Sequence, residues 1–224
     1  MPASTVDAPS AEQIARDLLI LGAVTLRPNA PFTWASGLRS PIYCDNRITL
    51  ADPAVRRRLT DGFAAFMEEQ GLAPDVIAGT ATAGIPHAAW LADRLTLPMV
   101  YVRSAPKGHG RGNQIEGRLH EDARVVLVED LVSTGGSSLK AVEVLREAGA
   151  EVLATVAIFS YGFDRAAEAF AEAKMPLHVL TDYATLLDQA RAMGRLADGD
   201  LAALRAWREN PEGWEGGIAG RTDG

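Results

Sequence analysis

Cysteine is nearly absent from this sequence, in which Cys44 is the one thiol. No disulfide can form within the chain, and a reducing compartment is the expected environment. The start, MPASTVDAPS, has no basic segment followed by an apolar stretch, so no secretory signal is expected. No apolar run approaches the ~20 residues that a membrane span needs. We therefore expect a soluble, cytoplasmic protein without membrane partners.

Positive charge is also scarce, because 22 lysine and arginine residues face 29 aspartate and glutamate residues, for a net charge of −7. This balance argues against general binding to nucleic acid but permits a local basic site. The basic cluster RRR at 56–58 is interpreted as a solvated helix face. With 224 residues, 47% of them hydrophobic, the chain can bury a substantial core.

The first 50 residues predict a small, irregular unit. Residues 11–21 carry apolar side chains at helical spacing, with Gly22 as the stop. Residues 23–50 contain three short strand-like pieces, VTL, FTW and IYC, separated by prolines and a glycine. Prolines and glycines at this spacing favour small strands in a cap over strands of a central sheet.

From about residue 53 the pattern becomes regular. Five apolar strands, DVIAG, PMVYVR, RVVLVED, EVLATVAIFS and PLHVL, alternate with helical segments. The helices are PAVRRRLTDGFAAFMEEQ, a stretch through HAAWLADRL, SSLKAVEVLREAG with Gly149 as its cap, and one near 164–173. From about 183 the chain is predicted to be helical, with Trp207, before a glycine-rich tail. This alternation predicts a parallel sheet covered on both faces.

Residues 125–138, VVLVEDLVSTGGSS, combine a buried strand, two acids and a hydroxyl- and glycine-rich turn. Ligands of parallel α/β sheets bind beyond the carboxyl ends of the strands, where Glu129 and Asp130 would lie. The turn opens a helix, whose N-terminal amides favour a phosphate monoester. The carboxylates suit sugar hydroxyls or a magnesium ion. The combination indicates a sugar phosphate, although a serine N-cap after two solvated acids remains the alternative.

The stretch VVLVEDLVSTGG resembles the diphosphate-sugar motif of the type I phosphoribosyltransferases. The resemblance implies that the acids hold the ribose hydroxyls of phosphoribosyl diphosphate (PRPP), and that the loop grips its 5′-phosphate. It also implies a central, mostly parallel sheet flanked by helices. The chain would then be a single domain, residues 1–224, with an α/β core over about 53–180. A small hood would be built from about residues 1–50 and the C-terminal helices.

Residues 103–117, RSAPKGHGRGNQIEG, alternate basic side chains with glycines. Glycine at this density allows hinging, and concentrated positive charge in an acidic protein indicates an anionic target. Such a loop could close over a diphosphate leaving group, or it could be a solvated surface loop. It resembles the catalytic loop of the orotate phosphoribosyltransferase family, which implies that Arg103, Lys107 and His109 contact the diphosphate. Ser104 stands where that family often has a second lysine.

Residues 32–46, FTWASGLRSPIYCDN, resemble the family's orotate-side segment. Its aromatic residues, Phe32, Trp34 and Tyr43, could cover a pyrimidine ring or belong to the core of the cap. Arg39 or backbone amides could meet the orotate carboxylate.

Two further departures from the family pattern concern lysines, which some members carry where this chain has Ala35 and Ala83. Those two lysine roles therefore do not transfer. The resemblance implies that Ser133 contacts orotate. The expected PRPP contacts are Arg103, Lys107, His109, Glu129, Asp130, Leu131, Val132, Ser133, Thr134, Gly135, Gly136 and Ser137.

The implied reaction joins orotate and PRPP, with inversion at the anomeric carbon, to give orotidine 5′-phosphate and diphosphate. The resemblance also implies Mg²⁺, bound through PRPP near Glu129 and Asp130, and a homodimer that shares the 104–114 loop between subunits. Two rivals stay open: a phosphoribosyltransferase for a purine or another acid, and a PRPP-sensing regulator without activity. His87 is interpreted as structural, and Cys44 lacks the pattern of a nucleophile.

Overall fold

The computed structural model describes residues 8–34, 37–105 and 114–214. Lys107, His109, Ala35, the N-terminal tail and the glycine-rich C-terminal tail, for which predictions were made above, lie outside the described residues. The helices are α1 (Ala11–Leu21), α2 (Pro53–Glu69), α3 (Gly84–Leu95), α4 (Gly136–Glu147), α5 (Asp164–Glu172), α6 (Tyr183–Ala192) and α7 (Asp198–Glu209), with a 3₁₀ helix at Asn46–Ala51.

The strands are β1 (Val24–Leu26), β2 (Phe32–Thr33), β3 (Arg39–Ser40), β4 (Ile42–Cys44), β5 (Val76–Thr80), β6 (Met99–Val102), β7 (Ile115–Glu116), β8 (Arg124–Val132), β9 (Glu151–Ser160) and β10 (Leu177–Asp182). Six of them form one sheet in the order β10-β9-β8-β5-β6-β7. All neighbours in this sheet are parallel except β6 and β7, which are antiparallel. The prediction of a mostly parallel sheet flanked by helices is confirmed.

The central strands are apolar throughout because helices cover both faces of the sheet. Side chains of β8 alternate between two hydrophobic clusters, with Val126 and Val128 in one and Val125 and Leu127 in the other. The first cluster contains residues of α1, α2, α3, α6 and α7, and the second contains residues of α4 and α5. This two-sided packing fixes the strand ends at one edge, where a ligand site can form.

The N-terminal strands form two small antiparallel sheets, β1 with β4 and β2 with β3, outside the central sheet. The C-terminal helix α7 holds them through Trp207, which is 0% exposed. Its ring packs edge-on against Trp34 and Tyr161, with centroids 5.8 Å away in each case. Its indole Nε1 donates to the carbonyl oxygen of Arg39 at 3.1 Å. The strands β2 and β3 and the helix α7 are therefore packed together beside the sheet.

Several boundaries differ from the sequence prediction. Helix α3 begins at Gly84, before HAAWLADRL, and β8 continues two residues past the acid pair to Val132. The C-cap of α4 is Ala148, and Gly149 follows it with φ 86°, while Gly22 ends α1 at φ 74° as predicted. The two-residue strands β3 and β7 were not predicted, since so short a segment carries no alternation. None of the described helices is both long and apolar enough to cross a membrane.

Candidate active site

The carboxyl ends of β5 and β8 border an open cleft of about 380 Å³, here called the acid cleft. It lies at the edge of the sheet where the sequence predicts a ligand. Of the predicted contacts, it brings together Glu129, Asp130, Leu131 and Ser137. The lining residues are Cys44, Asp45, Arg47, Thr80, Ala81, Thr82, Ala83, Glu129, Asp130, Leu131 and Ser137.

The turn after β8 requires glycine at position 135. Gly135 has φ 84°, and a Cβ atom there would lie 2.8 Å from Cε2 of Phe170. Helix α4 begins at the next residue, so its first backbone N–H groups have no acceptor within the helix. Together with the partial positive charge of a helix N-terminus, these amides form a binding site for an anion. Ser137 lines the cleft, whereas Val132, Ser133, Thr134, Gly135 and Gly136 do not.

The start of α3 lies unusually close to the sheet. A Cβ atom on Gly84 would be 2.5 Å from the carbonyl oxygen of Val128, and one on Gly79 would be 2.9 Å from Cβ of Ala88. Only glycine permits this approach, which places the turn at 80–83 against the end of β8. The segment GTATAGIP thus supplies a second wall of the acid cleft. Its two glycines were the one feature of the sequence that could have indicated this close approach.

The two acids of the motif occupy different environments. Glu129 is 4% exposed, and its Oε2 accepts a hydrogen bond of 2.9 Å from the fully buried hydroxyl of Ser138. Burial, followed by the negative charge of Asp130, raises the pKa of Glu129 to about 8, while the Ser138 bond opposes this shift. Burial also raises the pKa of Asp130. Both shifts favour the protonated forms, and the shift of Glu129 is large enough to favour protonation at neutral pH.

A second, smaller cleft of about 120 Å³, here called the loop cleft, adjoins the first and shares Thr80, Ala81 and Ser137 with it. Its remaining lining residues are Val102, Arg103, Ser104, Gln114, Lys140 and Ala141. Arg103 is therefore placed beside the acid cleft, with Nη1 3.6 Å from Oε1 of Glu116.

The ends of the basic loop meet at the loop cleft. The backbone N–H of Arg103 donates to the carbonyl of Gln114 at 2.8 Å, and Nε2 of Gln114 donates back to the carbonyl of Arg103 at 3.0 Å. The antiparallel pairing of β6 with β7 continues this closure. Lys107 and His109 lie between these two residues in sequence and outside the described residues.

Asp45 and Asn46, which follow β4, belong to the predicted orotate-side segment, but neither they nor Arg47 were singled out. Asn46 is 1% exposed, and its Nδ2 donates to the backbone carbonyl of Asp130 at 2.6 Å. Arg47 donates from Nε and Nη2 to the two carboxylate oxygens of Asp45 at 2.6 and 2.8 Å. These bonds lower the pKa of Asp45 and raise that of Arg47, so both groups stay ionised. The polar run CDNR marked this segment, but not its contact with β8.

The aromatic residues of the orotate-side segment separate into two groups. Trp34 packs against Tyr161 at 5.3 Å and donates from Nε1 to the carbonyl of Ile42 at 3.3 Å, as expected of a core residue. Phe32 and Tyr43 pack together at 5.5 Å, and Tyr43 is 45% exposed. The segment's Arg39 is exposed and lies outside the lining of the acid cleft.

The surroundings of His87 and Cys44 do not favour a catalytic role for either residue. His87 is 1% exposed and packs edge-on against Trp90, and burial lowers its pKa to about 4. Its position agrees with the structural interpretation. Cys44 lines the acid cleft, but burial raises the pKa of its thiol well above the ordinary value. A thiol held in this form is a poor nucleophile.

Comparisons with known proteins agree with this geometry. A family described as phosphoribosyl transferase domain matches residues 50–184, which include the ends of β5, β6 and β8. An orotate phosphoribosyltransferase from Bacillus caldolyticus is 58% identical over 201 residues, covering 90% of this chain and 97% of that protein. One from Bacillus subtilis strain 168 is 55% identical over 199 residues, covering 89% and 92%. The solved orotate phosphoribosyltransferase from Aeropyrum pernix is 33% identical, with a TM-score of 0.71 over 82% of this chain and 99% of that one.

Proposed function

Because this chain belongs to the phosphoribosyltransferase family and, within it, to the orotate phosphoribosyltransferases, we propose that the acid cleft is its active site. The enzyme is a pentosyltransferase (EC 2.4.2.10) that moves the ribose 5-phosphate of PRPP to orotate. The products are orotidine 5′-phosphate and diphosphate, a step of de novo UMP synthesis. The alternative of a PRPP-sensing regulator loses its support, because the relatives that match most of the chain are named as transferases.

One observation carries the assignment of the site. Glu129 and Asp130 line the same cleft as Ser137, at the start of the helix whose N-terminal amides are free to bind an anion. A ribose 5-phosphate carries a diol and a phosphate, which match these two halves. The diol would meet the carboxyl groups, and the phosphate would meet the turn at 133–137 with the hydroxyls of Ser133, Thr134 and Ser137.

Catalysis would come from positioning and electrostatics, since the ribosyl group becomes cation-like as diphosphate leaves. Arg103 at the loop cleft, with Lys107 and His109 from the loop, would bind the diphosphate and stabilise its developing charge. His109 could also donate a proton to the leaving group. Glu129 and Asp130 would orient the ribose through hydrogen bonds to its hydroxyl groups. Ser133 is proposed to contact orotate.

The cleft also fits a magnesium ion that binds together with the substrate. Within the described residues, no group of three or more potential protein ligands is arranged to hold a metal ion alone. Mg²⁺ commonly binds through substrate phosphates, several waters and one or two carboxylates, which Glu129 and Asp130 can supply. When bound, the ion would neutralise charge on the diphosphate.

We further propose that the enzyme is a cytoplasmic homodimer in which the 104–114 loop reaches the partner's site, under a hood formed by about residues 1–50 and the C-terminal helices. The packing of Trp207 against Trp34 supports the hood. Mixing Lys107→Ala subunits with Asp130→Asn subunits, each impaired on its own, tests the shared loop. If the loop is shared, mixed dimers recover part of the activity; if each subunit uses its own loop, no activity returns.

Turnover of candidate bases with PRPP tests the assignment of the substrate. Orotate should be converted, whereas adenine, hypoxanthine and uracil should not. The proposed site is tested separately with Asp130→Asn, which should raise the KM for PRPP and lower turnover. Unchanged kinetics of this variant would show that PRPP does not bind in the acid cleft, even if orotate is the substrate.

A further inference from the structure

The acid cleft contains a cationic side chain that lies outside the PRPP motif and the basic loop. Among the described residues that line this cleft, Arg47 is the one lysine or arginine. Orotate differs from the other pyrimidine bases by its carboxylate, and a cationic side chain binds a carboxylate more strongly than neutral donors do. At positions 35 and 83 this chain has alanine, so neither position supplies a cation.

Asp45 holds the guanidinium of Arg47 by one edge. Nε and Nη2 donate to the two oxygens of the Asp45 carboxylate at 2.6 and 2.8 Å. Within the described part of the chain, Nη1 has no hydrogen-bond partner, and the side chain of Arg47 is 63% exposed. The second edge of the planar fork, Nη1 with the remaining proton of Nη2, therefore matches a second carboxylate in a bidentate pair.

The position of Arg47 also fits the acceptor side of the reaction. Asn46 attaches this segment to the end of β8, where the carboxyl groups would hold the ribose. Arg103, the proposed contact of the leaving diphosphate, follows β6, two strands away across β5. Displacement with inversion requires the incoming base to approach the ribose from the side opposite the leaving group. The segment after β4 lines the acid cleft but not the loop cleft, which Arg103 lines.

We propose that Arg47 binds the carboxylate of orotate and that Asp45 is the positioning residue that orients its guanidinium. This inference rests on the proposed function and adds the residue that distinguishes orotate from uracil. A carboxylate gains a charge-assisted, bidentate pair at this position. A base without the carboxylate leaves the second edge of the fork unoccupied.

The test compares Arg47→Gln and Arg47→Lys with Arg94→Gln. Arg94 is a matched control, because it pairs with Asp61 at 3.3 Å and the two side chains are 58% and 18% exposed, against 63% and 22% for Arg47 and Asp45. Steady-state kinetics give the KM for orotate and for PRPP. Calorimetry gives the affinities for orotidine 5′-phosphate and for UMP, which lacks the carboxylate.

Arg47→Gln should raise the KM for orotate and weaken orotidine 5′-phosphate binding by about 10- to 100-fold, the range for one charged hydrogen-bonding partner. UMP affinity and the KM for PRPP should stay within about twofold. Arg47→Lys should fall between wild type and Arg47→Gln, because lysine keeps the charge but not the fork. Arg94→Gln should behave as wild type. Asp45→Asn should weaken orotidine 5′-phosphate binding less than Arg47→Gln does.

Two outcomes would overturn the inference. Equal losses of orotidine 5′-phosphate and UMP affinity would show that Arg47 only maintains the cleft. A rise in the KM for PRPP alone would assign Arg47 to the leaving group. Failure of the wild-type enzyme to convert orotate would instead refute the proposed function, so the two failures are distinguishable.

Discussion

Replacing Glu129 with glutamine should change how the stability of the ligand-free protein depends on pH. Burial and the negative charge of Asp130 raise the pKa of Glu129 to about 8 in the folded protein, whereas a glutamate in an unfolded chain has a pKa of about 4.3. Between these two values the folded state binds more protons than the unfolded state. The free energy of unfolding therefore decreases as the pH rises from about 5 to 8.

The size of this effect follows from the difference in pKa. A single group of this kind removes up to about 1.4 kcal/mol of stability per pH unit. We expect Glu129 to remove about 2 to 4 kcal/mol between pH 5 and pH 8, since relaxation around a buried pair reduces the full value. Glutamine keeps the shape of the side chain and an oxygen for the Ser138 hydroxyl, but it does not titrate. Glu129→Gln should therefore remove most of this pH dependence.

Urea unfolding at pH 5, 6, 7 and 8, in EDTA and without PRPP, measures the difference. Asp75→Asn is the control, because hydrogen bonds from Arg124 lower the pKa of Asp75. A lowered pKa contributes stability that is present above the unfolded value and lost only as the pH falls through the folded value. This control should therefore leave the slope between pH 5 and 8 unchanged. Parallel curves for wild type and Glu129→Gln would refute the buried titration.

Three other predictions concern the loop, the turn and the metal. Lys107→Ala should lower turnover by orders of magnitude and leave the circular dichroism spectrum unchanged; near-normal turnover would remove the loop from the mechanism. Gly135→Ala should destabilise the protein by about 1 to 3 kcal/mol in urea unfolding, because φ is 84° and the new Cβ would meet Phe170, and equal stability would contradict the described turn. Chelation of Mg²⁺ should abolish turnover and weaken PRPP binding, with recovery on adding the ion back; full activity in EDTA would exclude the proposed role of the metal.

The parts of the fold that could be predicted are those with local signals. Strand β9 was predicted with its observed bounds, because a largely apolar segment of ten residues is preceded and followed by turn residues. The acid pair and the turn at 133–137 could be placed because strand, acids, glycines and helix follow one another in sequence. Lys107 and His109 remain predictions, since they lie outside the described residues.

The parts that could not be predicted depend on contacts between distant residues. Asn46 and Asp130 are separated by 84 positions, so nothing local indicated that Arg47 would line the same cleft as the acid pair. The burial of Glu129 and its raised pKa could not be predicted either, because both depend on how closely α3 and α4 pack around the end of β8. The sequence showed which groups were available, and the packing determined their protonation.

The hydrogen bond from Trp207 to the carbonyl of Arg39 joins residues separated by 168 positions. During synthesis on the ribosome, β1 to β4 emerge well before α7, their packing partner. The nascent chain therefore cannot complete the wall that carries Arg47 until α7 has left the exit tunnel. In a truncated chain lacking α7, the central sheet with its acid pair could still fold, but the N-terminal strands would lack their packing partner.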